Sequence, residues 1–492
     1  MAALAFVCAA PGFAAEKVLK VGTGFLSSNR GNPYQGITLP PVFPHHAVYD
    51  TLTTLDRDGK VAPSLAVSWQ AETPSVWVFK LRPGVAFTNG EMLTSEALVA
   101  SAEHMATAKG RSETIGSQMY QVARAEAVDE LTVRVHLSEP DGLFPLHASS
   151  WRIPAPKAYA NTPREEYDAH PVGSGPFKVV SWDAGKVVMV ANRQSWRAPK
   201  LDGIEIVEVA DETARLQAFL SGAVNFVMGV APDNRPQIEQ DGGVMFTRMT
   251  LLVHFLAFNT TRETPLKDKR VRQALNLAVD RAAIVREVLG GMTEPASQLS
   301  YKGAFGYNDA LKPMPYDPDK AKKLLAEAGY PNGLKLVVGV TAGLRASDTL
   351  YAQQIAADLA KIGVSAEVLS RPQQKQQADM FNGKLDVDIH STFTRGVDAI
   401  TDYRHRTCAG LTQGRAAYHC DPAITTVVKA AMAESDADQR AALYRQVAAM
   451  EQDSPPGILL WRGAEFDALK KNITGYRPAY DLLNLHDVDI KN

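Results

Sequence analysis

Apolar positions along this chain recur with two periods. Alternation with period two marks strands at 18–23 (VLKVGT), 76–81 (VWVFKL) and 131–137 (LTVRVHL). Short apolar runs at 187–190, 204–209, 224–228, 255–258, 334–340, 365–368, 387–390 and 458–461 add further strands. The helical period is clearest at Val271, Ala274, Leu275, Ala278, Ala282, Val285 and Leu289, which predicts one helix with a buried face, stopped by Gly290-Gly291. Other helices are predicted after Thr94, over 213–221, 321–328, 349–362, 425–432 and 439–452, several closed by glycine.

From residue 316 onward strands and helices alternate, which argues for an α/β domain with its own sheet. Residues 46–170 read instead as a small α+β unit. A chain of 492 residues exceeds what one core organises, so two or three domains are expected.

Charge narrows the function classes. Fifty-two basic against 54 acidic side chains leave a formal net charge of −2. That balance offers no basis for binding nucleic acid. The first fifteen residues, MAALAFVCAAPGFAA, are apolar and small. They read as the remnant of a secretory signal peptide over 1–15, too short to span a bilayer. With Cys8 removed, Cys408 and Cys420 remain. An even count in an exported chain favours a disulfide. Free thiols stay open as a reading, as does a metal site drawing on His405 and His419, although the spacing matches no standard zinc pattern. No catalytic or phosphate-binding motif is present, and Ser174 in Gly173-Ser174-Gly175 lacks both the spacing and the following helix of a nucleophile elbow. No enzyme activity, cofactor or metal is expected.

The wording of several segments is more specific than their periodicity. His254–Ala296 carries a strand ending in Phe258-Asn259, then Pro265-Leu266-Lys267-Asp268, Arg270-Val271-Arg272-Gln273-Ala274-Leu275 and Asp280-Arg281. Leu81-Arg82-Pro83-Gly84-Val85, Gly173-Ser174-Gly175-Pro176-Phe177 with Asn192 and Trp196, and Tyr316-Asp317-Pro318 follow the same family pattern in order. In these segments the chain resembles family 5 of the bacterial extracellular solute-binding proteins, which serve ABC importers of oligopeptides, dipeptides and nickel chelates.

The resemblance implies an α/β, periplasmic-binding-protein-like type II fold: two lobes joined by a two-crossing hinge, plus an additional small α+β domain. It places lobe I at 16–45, 171–253 and 462–492, the small domain at 46–170, and lobe II at 254–461. The cysteine pair falls where several relatives carry a disulfide loop. The implied function is a monomeric periplasmic protein, exported through a cleaved signal peptide, that captures a small solute by lobe closure and delivers it to permease subunits in the inner membrane. The arginines of the 268–289 helix are expected in surface or interlobe ion pairs.

Peptide-binding relatives hold the ligand's α-amino group with the aspartate of a W-x-x-D segment. Aligning Phe393 with that tryptophan puts Gly396 where the aspartate belongs, with Arg395 beside it and Asp398 two residues on. A guanidinium fork suits carboxylate or phosphate. The expected solute is therefore small and polar or anionic: peptide-like, opine-like or a chelate. Arg395 in a surface ion pair is the alternative. Trp151 and Arg152 are candidates for stacking and anion pairing, Tyr34 and His46 for a loop facing the cleft, and Trp461 for a further contact. A core position is the rival for both tryptophans. A haem-binding or chaperone role, or a hydrolase on the same scaffold, are the competing functions.

Overall fold

The computed structural model describes residues 17–36, 41–56, 60–341, 348–372, 375–376, 379, 384–391, 403, 407–408, 419–434, 436–477 and 483–491. Phe393, Arg395 and Asp398, together with the signal segment 1–15, lie outside the described residues.

A ten-stranded sheet runs through the molecule. Its middle is formed by the two longest strands, Gly243–Phe258 and Gly457–Lys470, which pair antiparallel. On one side of this pair lie Val387–Ser391, Leu334–Thr341 and Val364–Arg371. On the other lie Phe226–Met228, Val18–Thr23, Gly203–Glu208, Lys186–Ala191 and Phe177–Trp182. The apolar runs 255–258 and 458–461 are thus only the ends of strands of 16 and 14 residues. The polar positions within them hide that length from a short-window reading, because one strand faces different surroundings along its course.

The central ladder is not uniform. Gly243 to Met249 pair in register with Lys470 to Ala464, and Phe255 to Ala257 pair with Leu459 to Gly457. Between these stretches the register shifts twice, at Met249/Val253 and at Val253/Phe255. Gly463 sits opposite this slip, where a Cβ would meet Thr250 Oγ1 at 2.3 Å. A residue without a side chain is what permits the close approach.

Each side of the sheet has its own core. Leu256, Phe258, Val271, Leu275, Ile355, Leu359 and Trp461 belong to one buried cluster. Leu19, Val21, Phe43, Phe177, Ile204, Ile206 and Phe226 belong to another. The predicted 271–289 helix is broken into Lys269–Leu277 and Arg281–Glu287. Asp280 causes the break by capping the second helix, its Oδ1 accepting from Ala283 N at 2.9 Å. Gly290 and Gly291, with φ of 58° and 68°, end it as the sequence predicts.

A four-stranded antiparallel sheet stands apart, in the order Ala66–Thr73, Val76–Leu81, Thr132–Leu137, Val122–Asp129. Its inner face presents Phe79, Leu81, Val133 and Val135 to the same core as Leu98, Ala102 and Met105 of helix Ser95–Ala106. The outer face is wet: Arg134 bridges Glu72 at 2.7 Å and Glu126 at 2.8 Å. The unit is anchored to the body through Asp50, which receives Ser174 Oγ at 2.7 Å and Trp196 Nε1 at 2.9 Å and pairs with Arg197 at 2.5 Å. Gly173 and Gly175 let this strand entry press on helix Phe43–Val48, since Cβ atoms there would fall 2.1 Å from Val48 O and 2.5 Å from Ala47 O. The Gly-Ser-Gly segment is a packing motif, and Ser174 spends its hydroxyl on Asp50.

Candidate functional site

Tyr34, Trp151 and Arg152 are distant in sequence but converge around one turn. Tyr34 OH and Trp151 Nε1 each donate to Ser101 Oγ at 2.8 Å, which its two lone pairs allow. Both rings are fully buried, and burial raises the Tyr34 phenol. The Arg152 guanidinium donates to the carbonyls of Pro33 at 3.0 Å, Gln35 at 2.9 Å and Gly36 at 2.8 Å, wrapping the turn that carries Tyr34. Its pKa is lowered to about 10 by burial, slightly offset by Tyr49, so it stays a cation at neutral pH. These donors hold backbone, and the three side chains act as scaffold for the 31–36 segment.

His46 lies in helix Phe43–Val48 and keeps part of its surface exposed. Burial and the charges of Arg152 and Arg197 push its pKa down to about 3, so the ring is neutral. Trp461 is placed elsewhere, at the slip in the central ladder. It is 3% exposed, meets Tyr351 edge-on at 4.7 Å between ring centroids and lies 6.1 Å from His254. Phe393, Arg395 and Asp398 lie outside the described residues, which in this part of the chain end with strand Val387–Ser391.

Cys408 and Cys420 form a disulfide with Cα atoms 4.9 Å apart. That sets aside the free-thiol and metal readings of the pair. His419 Nδ1 lies 3.1 Å from Thr260 Oγ1. Among the described residues no group of three or more His, Cys, Asp or Glu is placed to hold a metal ion, and no helix is long and apolar enough to cross a membrane.

The arginines of the 268–289 segment divide into two kinds. Arg270 pairs with Asp268 at 2.6 Å and Arg286 with Glu287 at 2.7 Å, as surface ion pairs. Arg272 and Arg281, each 3% exposed, depart from that expectation. Arg272 donates to the carbonyls of Pro455 at 2.9 Å, Leu266 at 2.9 Å and Lys267 at 3.0 Å. Arg281 donates to Asn276 Oδ1 and O, both at 2.8 Å, and to Leu459 O. Asn276 Nδ2 in turn reaches Gly457 O at 2.8 Å. Carbonyls left open at helix ends and in the loop entering the crossing strand draw these buried cations. The family wording in this stretch therefore locks helix to crossing strand.

The family model for bacterial extracellular solute-binding proteins, family 5, matches residues 60–408. The chain belongs to this family. A glutathione-binding protein of Pectobacterium atrosepticum is 26% identical over 506 residues, covering 99% of this chain and 96% of that protein. The ABC transporter-associated periplasmic binding protein DppA of Helicobacter pylori, solved with the peptide STSA, superposes with a TM-score of 0.83 at 22% identity, over 96% of this chain and 98% of that one. The binding protein AgaA from Agrobacterium tumefaciens R10, solved with agropinic acid, gives 0.80 at 25% identity, over 96% and 99%. The fold is the periplasmic-binding-protein type II architecture. As a family 5 member the protein is a solute-binding component of an ABC importer, and its family is one of binders rather than enzymes.

Residues that the sequence reading did not single out complete the framework. Arg248 and Asp467 form an ion pair on the two central strands. Asp467 is a charge inside an otherwise apolar run, Phe466-Asp467-Ala468-Leu469, and that was the available signal.

Proposed function

We propose that this family 5 protein captures a small anionic solute of peptide-like or opine-like type. The reading rests on one observation: its full-length relatives include a glutathione-binding protein and one solved with agropinic acid, both ligands bearing carboxylates. The local sequence agrees, because Arg395-Gly396 stands where peptide binders carry the aspartate that meets an α-amino group. Arg395 supplies the carboxylate fork, Phe393 an apolar wall and Asp398 a partner for a ligand amine. Trp461, buried beside the slip in the ladder, and Tyr34, Trp151 and Arg152, whose polar atoms are taken up within the protein, back the walls of the cleft, and His46 keeps part of its surface free for it.

The lobes divide at 253/254 and 461/462, where the register of the central strands slips. The two crossings there act as the hinge. The small domain spans 46–170. The protein is exported to the periplasm by a cleaved signal, works as a monomer and hands its solute to inner-membrane permease subunits.

Titration calorimetry with glutathione, a neutral dipeptide, an acidic opine and nickel–histidine tests this directly. Glutathione or the opine is expected to bind, and Arg395→Ala to weaken that binding at least tenfold, about 1.4 kcal/mol. Tight binding of the neutral dipeptide alone would sink the proposal.

A further inference from the structure

The small antiparallel domain is anchored to the first-lobe side through Asp50, yet one of its loops reaches the opposite lobe. The position of a Cβ on Gly142 lies 3.4 Å from Arg440 Nη1 and 3.9 Å from Nη2. Gly142 is exposed and Arg440 is buried, 8% exposed. The two residues belong to bodies that share no strand: Gly142 follows the four-stranded sheet, and Arg440 lies in helix Ala437–Asp453 of the second lobe.

Both partners are held rigidly before they meet. Asp141 fixes the loop: its carboxylate contacts His147 Nδ1 at 2.7 Å and accepts from Gln121 Nε2 at 3.0 Å and Leu143 N at 2.9 Å. The Asp141 carbonyl accepts Trp77 Nε1 at 3.0 Å, and its N–H donates to Pro74 O at 3.1 Å. Arg440 donates from Nη1 to Glu434 O at 3.1 Å and lies 5.2 Å from the centroid of the Phe305 ring. Phe305 is itself braced edge-on by Tyr444 at 5.6 Å. Two preordered surfaces lose little further freedom on contact.

The contact also lies far from the crossing strands. Helix Ala437–Asp453 ends beside the entry to strand Gly457–Lys470, while Arg440 sits in its first turn, about 20 Å away at 1.5 Å per residue. On such an arm a lobe rotation on the order of 15° separates the pair by about 5 Å.

We propose that the Gly142 loop and Arg440 form a closing latch, a contact made only when the lobes are shut, which sets the open–closed balance of the solute-free protein. The latch stands on the fold and holds whatever the solute is. Apparent affinity then follows the fraction of molecules in the closing-competent state.

Spin labels on Val67→Cys and Met432→Cys, both on exposed positions of the two bodies, report the separation in solute-free protein. Gly142→Arg sets a like charge against Arg440 and is expected to lengthen the mean distance by about 5 Å. Gly142→Glu supplies a carboxylate and is expected to hold the short distance. Adding Arg440→Glu to Gly142→Arg is expected to restore it. Gly142 has no positive φ, so these changes leave the loop unstrained, and an unchanged melting temperature verifies the fold. Arg440→Ala, which removes the guanidinium that faces the loop, is expected to lengthen the distance as well. The latch is overturned if Gly142→Arg and Arg440→Ala leave the distance at the parent value, or if Arg440→Glu does not re-close Gly142→Arg.

Discussion

Arg248 Nε donates to Asp467 Oδ2 at 2.9 Å, joining the two crossing strands through a pair whose side chains are 2% and 0% exposed. Asp467 Oδ1 also accepts Gly229 N at 3.1 Å, so the carboxylate ties three strands or their ends together. Removing Asp467 takes a buried carboxylate away from both the Arg248 guanidinium and the Gly229 N–H. Asp467→Ala is expected to cost about 3–5 kcal/mol in chemical denaturation. Glu287→Ala, which breaks an exposed pair, is expected to cost about 0–1 kcal/mol. Equal losses for the two variants would show that the buried pair carries no special weight.

Stability is expected to fall on the acid side because of the histidine pair. His45 is fully buried, and burial with Arg152 nearby lowers its pKa well below the usual value. His46 goes down to about 3 for the same reasons with Arg197 added. Both rings are neutral in the fold and take up protons in the unfolded chain below about pH 6.5. Their contribution is complete above that pH and is lost as the pH falls toward the folded-state values. His46→Gln should flatten the decline of the urea midpoint between pH 6.5 and 4; a slope identical to the parent's would refute the assignment.

Gly173 is expected to tolerate no side chain. A Cβ there would fall 2.1 Å from Val48 O, whereas one on Gly185 meets nothing within 4 Å. Gly173→Ala should lower stability by about 2–4 kcal/mol, with Gly185→Ala near zero as the control. Matching melting temperatures for the two variants would mean that the strand entry shifts freely.

The Cys408–Cys420 disulfide closes a loop with a sequence separation of 12. Loop entropy of that size corresponds to about 3 kcal/mol. Denaturation with and without dithiothreitol should differ by that order, and the paired Cys408→Ser, Cys420→Ser variant should match the reduced protein. Superposable curves in oxidant and reductant would count against it.

The elements with a strong single period were legible in the sequence. Strand Val76–Leu81 and the glycine stop at Gly290-Gly291 stand where the pattern put them. What stayed hidden depends on partners far along the chain. The 268–289 periodicity continues through Asp280, and only the cap made by its side chain divides the helix. Arg272 and Arg281 look like surface cations until the carbonyls of Pro455 and Leu459 arrive from 183 and 178 residues away. Tyr34, Trp151 and Arg152 carry residue types that suit ligand contact, yet Ser101 and the carbonyls of the 33–36 turn take up their polar atoms. Residue type can propose chemistry; only the fold decides which groups have partners to spare.

The slip between Met249 and Phe255, facing Gly463, bears on how the cleft closes. Because the lobes share one sheet, they are not separate bodies on a loose tether. On the proposed hinge, closure would twist these two hydrogen-bonded strands together, at the few residues where the ladder is already out of step, rather than slide one lobe past the other.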